Sequence, residues 1–355
     1  MKEPFIVASW PSVPIEIVRA AGFRAVFARG ASGPTPTADR HLEPRIFPGR
    51  LRHLVESALT GRLSDAARIA IPRTSDTDYK CFLYLREFVR RGVIPALPPV
   101  ILFDLLQSAG AEVRAYDAAR TRALFDELSA VSGPGPSVDD LHRQIARVNE
   151  ARAAARQLLA FRRTAPRVSG TEIFPLLAAF WELEPERYVA AVKGAVSAFA
   201  KRSVLSGPRV LLAGVPVDGP ELHHAIESHG AIVVAEVGPW GSGAPGDDVR
   251  VDDDPFLALA DKYRADAIGA RTPAASLRRH IEHMLDEVDA VVVSLPPEDA
   301  VFGWDYPAFR DMLQTRGMPH VCLHSDQYQA PTPQEHAELD AMVAAASRLQ
   351  EARHG

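Results

Sequence analysis

GPRVLLAGVPVDGPELHHAIESHGAIVVAE, residues 207–236, is the stretch whose reading decides the fold. Arg209–Leu212 (RVLL) is a short apolar run that ends in a glycine- and proline-bearing turn, GVPVDGP, Gly214–Pro220. A helical pattern follows over Glu221–Ser228, and Ala231–Glu236 (AIVVAE) is a second apolar, β-branched run. A strand, a crossover helix and another strand make a βαβ unit. Its strands are apolar without alternation, as expected of parallel strands covered on both faces. The turn opens a helix after a strand, where backbone N–H groups can receive a phosphate or carboxylate, and Gly214 is its candidate binding residue. It lacks the G-x-G-x-x-G spacing, so it carries no nucleotide assignment.

The same alternation extends in both directions. Downstream, a helix over Ser276–Asp286 precedes Ala290–Ser294 (AVVVS), and a helix over Tyr306–Gln314 precedes His320–Leu323. Upstream, Ile15–Ala21 leads to a strand at Phe23–Phe27, and Arg50–Leu63 leads to Ala67–Ile71 (ARIAI). Gly92–Leu97 reads as a further strand, followed by a helix near Ile101–Ala109 and then by Ala111–Tyr116. Between these α/β regions the period changes to a helical one. Val138–Arg163 carries apolar residues at Leu141, Ile145, Val148, Leu158, Leu159 and Phe161 in a helical pattern, with Ser137 as N-cap and Asp139 and Asp140 in the first turn. Glu186–Ala200 is a second helix, expected to pack on the first, and Pro333–Arg353 is a polar, alanine-rich terminal one. SGPGP, Ser132–Pro136, is the clearest linker. The domain expectation is 1–136 as an N-terminal α/β domain, 137–205 as a helical connecting region and 206–355 as a C-terminal α/β domain.

Bulk properties narrow the classes. The chain has 355 residues, 47% hydrophobic and 24% charged, with a formal net charge of -5, and no basic block favours nucleic acid or a membrane surface. Two cysteines, Cys81 and Cys322, make no disulfide framework. The N-terminal apolar patch is broken by prolines and lacks a signal peptide's long apolar run, and no uninterrupted apolar stretch reaches about 18 residues. A cytoplasmic protein is expected.

VPIEIVRAAGFRAVF (Val13–Phe27) carries a P-x-E opening, and SVDDLHRQIARVNEARAAARQL (Ser137–Leu158) a long helix with N-x-x-R, here Asn149 and Arg152. SGTEIF (Ser169–Phe174), GPRVLLAGVPVD, GAIVVAE, DDPFLALADKYR (Asp253–Arg264), Arg271 and MPHVCLHSDQY (Met318–Tyr328) follow in turn. In these segments and their order the chain resembles the 2-hydroxyacyl-CoA dehydratase and benzoyl-CoA reductase subunit family. The resemblance implies two flavodoxin-like parallel-sheet domains joined by long helices, acyl-CoA bound at a subunit interface, a homo- or heterodimer with a family subunit, and a four-iron four-sulfur cluster on three cysteines.

The chain departs from that pattern at all three ligand positions. The first reads Phe47 before Pro48, the second Ser75 before Asp76, and the third has Asp299 as its nearest match within PPEDAVFGWDYP. Cluster iron needs soft thiolate donors. Phenylalanine offers none, and a serine or a single carboxylate is a poor substitute, so no cluster and no metal are expected on this chain. The leading expectation is a cluster-less subunit of such a complex, contributing to acyl-CoA binding and dimer assembly. The alternatives are a stand-alone acyl-CoA enzyme doing acid–base chemistry with Ser75, Asp76 or Asp299, and a non-catalytic binding or structural protein.

Remaining constellations each carry two readings. Ser75, Asp76 and Asp78 follow a strand and form either a polar cradle or a turn capping the next helix. His320, Cys322, His324 and Asp326 alternate along one strand, as a chelating face or as a strand end entering a loop. GPWGSGAPGDD, Gly238–Asp248, is a lid carrying Trp240 near the CoA channel or a plain surface loop. Arg19, Arg152 and Arg271 are candidates for CoA phosphates or ordinary surface cations. Phe47 lines the former cluster site as a substrate-contact candidate.

Overall fold

The computed structural model describes residues 3–94, 96–133, 135–251, 254–266, 274–299 and 301–354. Its elements, in chain order, begin with β1 (Phe5–Ala8), α1 (Ile15–Ala20), β2 (Arg24–Phe27), α2 (Gly49–Leu59), β3 (Arg68–Pro72), α3 (Asp76–Arg90), β4 (Val100–Phe103) and α4 (Ala111–Ser129). There follow α5 (Val138–Leu159), α6 (Gly170–Glu182), α7 (Pro185–Phe199), β5 (Arg209–Gly214), α8 (Glu221–Glu227) and β6 (Ile232–Glu236). The last are α9 (Pro255–Asp266), α10 (Ala274–Leu285), β7 (Ala290–Ser294), α11 (Phe302–Thr315), β8 (His320–Leu323) and α12 (Pro333–His354).

Two compact units result. The first comprises residues 1–152, 181–186 and 246–267, and the second 153–180, 187–245 and 268–355. Each holds one four-stranded parallel sheet, in the order β2-β1-β3-β4 and β6-β5-β7-β8. In both, the first crossover runs to one side and the next to the other. That is the flavodoxin-like order, with a topological switch point between β1 and β3 in unit 1 and between β5 and β7 in unit 2. The α/β fold with two parallel sheets therefore stands as the sequence implied.

Each sheet is buried because its strands are apolar on both faces. Unit 1 gathers Val7, Phe47, Leu51, Leu54, Ile69, Ile71, Cys81 and Leu85 into one core, and unit 2 gathers Leu211, Val234, Ile281, Val291, Val293, Phe309 and Leu313.

The sequence expectation fails between residues 92 and 116. Gly92–Leu97 is no strand. Gly92 ends α3 at φ 72, with its N–H on Val89 O and the Val93 N–H on Phe88 O. This is a Schellman end that only glycine adopts without strain. The prolines at 95, 98 and 99 also lack the N–H a strand needs. The fourth strand of unit 1 is instead VILF, part of the segment expected to be helical, and Ala111 opens α4. The first strand, FIVA, and α6 were not expected either. Pro175 lies inside α6, in its second turn, where it removes the intrahelical bond that residue 175 would give to the Thr171 carbonyl.

Candidate functional site

In open α/β sheets, ligands bind beyond the carboxyl ends of the strands at the switch point. In unit 1 this place lies where Ser9 and Trp10 leave β1 and Arg73–Ser75 leave β3. Two helices begin there, α2 just after Phe47-Pro48 and α3 just after Ser75. Arg50, in the first turn of α2, stacks its guanidinium 4.7 Å over the Trp10 ring and pairs with the fully buried Asp78 carboxylate at 2.8 Å. Its other terminal nitrogen donates to Ser9 O at 3.4 Å. The second Asp78 oxygen accepts from Thr74 Oγ1 at 2.5 Å and from Ser75 Oγ at 2.7 Å. Ser75 Oγ in turn accepts the Asp78 N–H at 3.1 Å, which makes Ser75 the N-cap of α3.

This site is filled by its own groups. Phe47 lies in the unit 1 core, edge-on to Tyr84 at 5.7 Å between centroids. Of the two readings of Ser75, the structure displays the helix cap, with α3 starting at Asp76. Asp76 itself is exposed. The third position behaves alike, since Asp299 accepts N–H bonds from Phe302 at 3.2 Å and Gly303 at 2.7 Å and so caps α11.

The cysteines lie elsewhere. Cys81 is fully buried on α3, where burial and the Asp78 carboxylate push its thiol up to about 12. Cys322 on β8 is pushed up to about 11 by burial and shares a hydrogen bond with Tyr306. Both remain protonated thiols in neutral water, whereas cluster iron takes thiolates. The donors present at the three positions do not fit a cysteine-ligated cluster. Among the described residues no group of three or more His, Cys, Asp or Glu side chains is placed to hold a metal ion, including the His320–Asp326 alternation.

Two further polar centres are buried, one per unit. In unit 1, Arg152 donates to Glu16 Oε1 at 2.5 Å, Tyr263 donates its hydroxyl to Glu16 Oε2 at 2.8 Å, and the Ile15 N–H reaches the Tyr263 oxygen at 3.1 Å. Arg152 also donates to Asn149 Oδ1 at 2.8 Å, and the Asn149 side-chain N–H holds Val249 O. Arg152 and Glu16 are both inaccessible to solvent, so Arg152 offers no cation to a phosphate. Burial opposes the Glu16 charge, yet Arg152 outweighs it and the carboxyl is held below its ordinary value. Lys262 lies close by, and burial together with Arg152 pushes its ammonium down to about 7.

In unit 2, Glu236 at the end of β6 faces Arg162 at 2.8 Å and His223 Nε2 at 3.2 Å, and accepts the Ser242 N–H at 2.5 Å. Burial works to raise the Glu236 pKa, but Arg162 and His223 hold it at about 2. A β-carbon on Gly241 would fall 1.4 Å from Glu236 Oε1, so this loop approaches the carboxylate as only glycine can. Trp240 in the same loop is fully buried. Gly238–Asp248 is thus largely interior, a correction to the surface-loop reading.

Gly214 sits at φ 95 with a β-carbon position 2.3 Å from Ser294 O, so its glycine is required by strand packing. The turn after it spends the Asp218 N–H on Gln327 Oε1 at 2.8 Å, and Tyr328 donates to the Asp218 carboxylate at 2.7 Å. A buried carboxylate there opposes an anion. Arg19 donates to Leu183 O at 2.6 Å within unit 1. Arg271 lies outside the described residues.

Sequence reading missed Trp10, Arg50, Arg162, His223, Glu236 and Tyr263 as site members. It did quote Glu16 within VPIEI and Asn149 and Arg152 within the long helix. The structure makes those two motifs the halves of one ion pair, 136 residues apart.

No helix among the described residues is long and apolar enough to cross a membrane. The family model described as 2-hydroxyglutaryl-CoA dehydratase, D-component, matches residues 12–343. A search of curated proteins finds no match.

Proposed function

We infer from the family to which this chain belongs, the 2-hydroxyglutaryl-CoA dehydratase D-component family, that it is the cluster-less subunit of a 2-hydroxyacyl-CoA dehydratase or benzoyl-CoA reductase type complex. It pairs with a cysteine-bearing family subunit and supplies part of the acyl-CoA pocket and the dimer surface. One observation carries this reading. Every residue at a position where the resemblance implies a thiolate is used by the fold itself, since Phe47 fills a core, Ser75 caps α3 and Asp299 caps α11. The frame is kept while the electron-transfer ligands are absent. The acid–base alternative gains nothing from the geometry, because Asp76 faces solvent and Asp299 is committed to a helix end.

The test is co-expression with a cysteine-bearing family subunit, followed by affinity purification through a tag on this chain and titration with an acyl-CoA such as butyryl-CoA. Recovery of a stoichiometric complex, with the complex binding the thioester more tightly than either chain alone, supports the proposal. Failure to co-purify, together with turnover of an acyl-CoA by the isolated chain, contradicts it.

A further inference from the structure

The sheet of unit 2 ends at β8, and among the described residues no strand covers its outer edge. Pro319 O and Leu323 O accept the N–H groups of Val291 and Leu295 on the β7 side. Main-chain direction alternates along a strand, so Val321 also faces β7, and the N–H and C=O of His320 and Cys322 face outward. Those four groups have no hydrogen-bond partner among the described residues. The open stretch has defined limits. The Met318 N–H is held by Leu313 O, Pro319 has none, and the His324 N–H is held by Glu335 Oε1 at 2.7 Å.

Unit 1 treats the matching edge differently. There Leu102 O, which faces outward from β4, accepts from Arg120 at 2.9 Å, so the chain covers that edge with its own cation. The β8 edge instead opens into a groove of about 1250 Å³, lined by Tyr306, Cys322, Met342 and Leu349 and carrying Glu338 and Arg348. Those two charges are ten residues apart on α12, about 15 Å along the helix, which equals the length of four to five extended residues.

We propose that the β8 edge is a docking site for an extended segment of a partner protein, added to this sheet as a fifth strand. His320 and Cys322 supply two donors and two acceptors to its main chain. Alternate apolar side chains of the segment enter the groove, with a basic residue near Glu338 and an acidic one near Arg348. Such strand addition takes its affinity from the main chain and its selectivity from the groove. It is independent of the acyl-CoA reading above.

The probe is a capped pentapeptide, Lys-Thr-Val-Thr-Asp, whose Lys, Val and Asp share one strand face, titrated into the isotope-labelled full chain while the amide signals and exchange rates of β8 are followed. Saturable binding with slowed exchange at His320 and Cys322 is expected. Cys322→Ala keeps the N–H and binds within about threefold of the parent, whereas Cys322→Pro removes it and weakens binding by about tenfold or more. The same peptide with both threonines replaced by proline does not bind, a control that requires no change in the protein. Absence of saturable binding at β8, equal binding by the alanine and proline variants, or binding by the proline-containing peptide overturns the proposal.

Discussion

The two units use one sheet order and one buried polar device, and they differ in how that device is built. Each buries a carboxylate beside an arginine contributed by α5 or by the turn just after it. In unit 1 the carboxylate, Glu16, rides on α1, and its second partner is the Tyr263 hydroxyl, which burial and Glu16 keep protonated well above its ordinary range. In unit 2 the carboxylate, Glu236, ends a strand, and its further partners are a histidine ring and a backbone N–H from the Gly238–Asp248 loop. The lesson is that a repeated architecture fixes where a charge pair is needed and leaves open which elements supply it. A buried pair of this kind is strongly destabilising to break and weak evidence of net stabilisation, so its use here is to define one arrangement of elements.

The sharpest way to break the comparison is to remove one arginine at a time. Arg152→Met leaves Glu16 buried without its cation and Arg162→Met does the same to Glu236, and each costs about 3–5 kcal/mol in urea unfolding. Replacing both partners with apolar residues, as in Glu16→Leu with Arg152→Met, recovers most of that loss. If the single and double variants are equally destabilised, the pairs are not the organising contacts.

A smaller effect tests the unit that uses a loop. Gly241→Ala forces the loop from Glu236 and costs about 1–3 kcal/mol by overpacking, seen as a red shift of the buried Trp240 emission. The same substitution at Gly194, where a β-carbon meets nothing within 4 Å, is neutral or slightly stabilising.

The lysine beside the unit 1 pair gives a prediction of opposite sign. The folded protein holds Lys262 at about 7, below the ordinary 10.5, so the unfolded chain binds more protons between those values. Stability therefore rises as pH rises through that window, and the penalty is complete below it. Lys262→Met stabilises the protein by about 1–3 kcal/mol at pH 6, and the advantage over the parent shrinks toward pH 10. Acid works through the carboxylates. Glu236 sits at about 2 against an ordinary 4.5, so its contribution is full above about 4.5 and is lost as pH falls toward 2. A circular-dichroism titration checks this, and Glu236→Gln flattens that part of the curve.

The smallest effect concerns the cap. Ser75→Ala costs about 1 kcal/mol, and Ser75→Thr, which keeps both the cap and the hydroxyl that donates to Asp78, costs little. Equal loss in both would mean that the hydroxyl plays no part at the helix end.

Much of the fold was legible because apolar runs and helical periods were strong. Residues 290–294 and 320–323 are strands where AVVVS and HVCL place them. The failures are local and physical. A four-residue run such as VILF has no period, so strand and helix cannot be separated by pattern. FIVA was obscured by the prolines that follow it at positions 11 and 14. The site was less legible. The missing thiolates could be seen directly, as could the capping potential of Ser75. Pairing Glu16 with Arg152, or Arg50 with Asp78, needs spatial neighbours that spacing does not reveal. Trp240 was misread for a similar reason: a glycine-rich loop resembles surface until its packing against a buried carboxylate is known.

Iron and acid-labile sulfide analysis of anaerobically purified protein, with its visible spectrum, tests the central claim most directly. A folded, colourless protein with iron far below one atom per chain is expected. Four iron and four sulfide per chain, with cluster absorbance that survives replacement of Cys81 and Cys322 by serine, would mean that other ligands hold a cluster, and would contradict it.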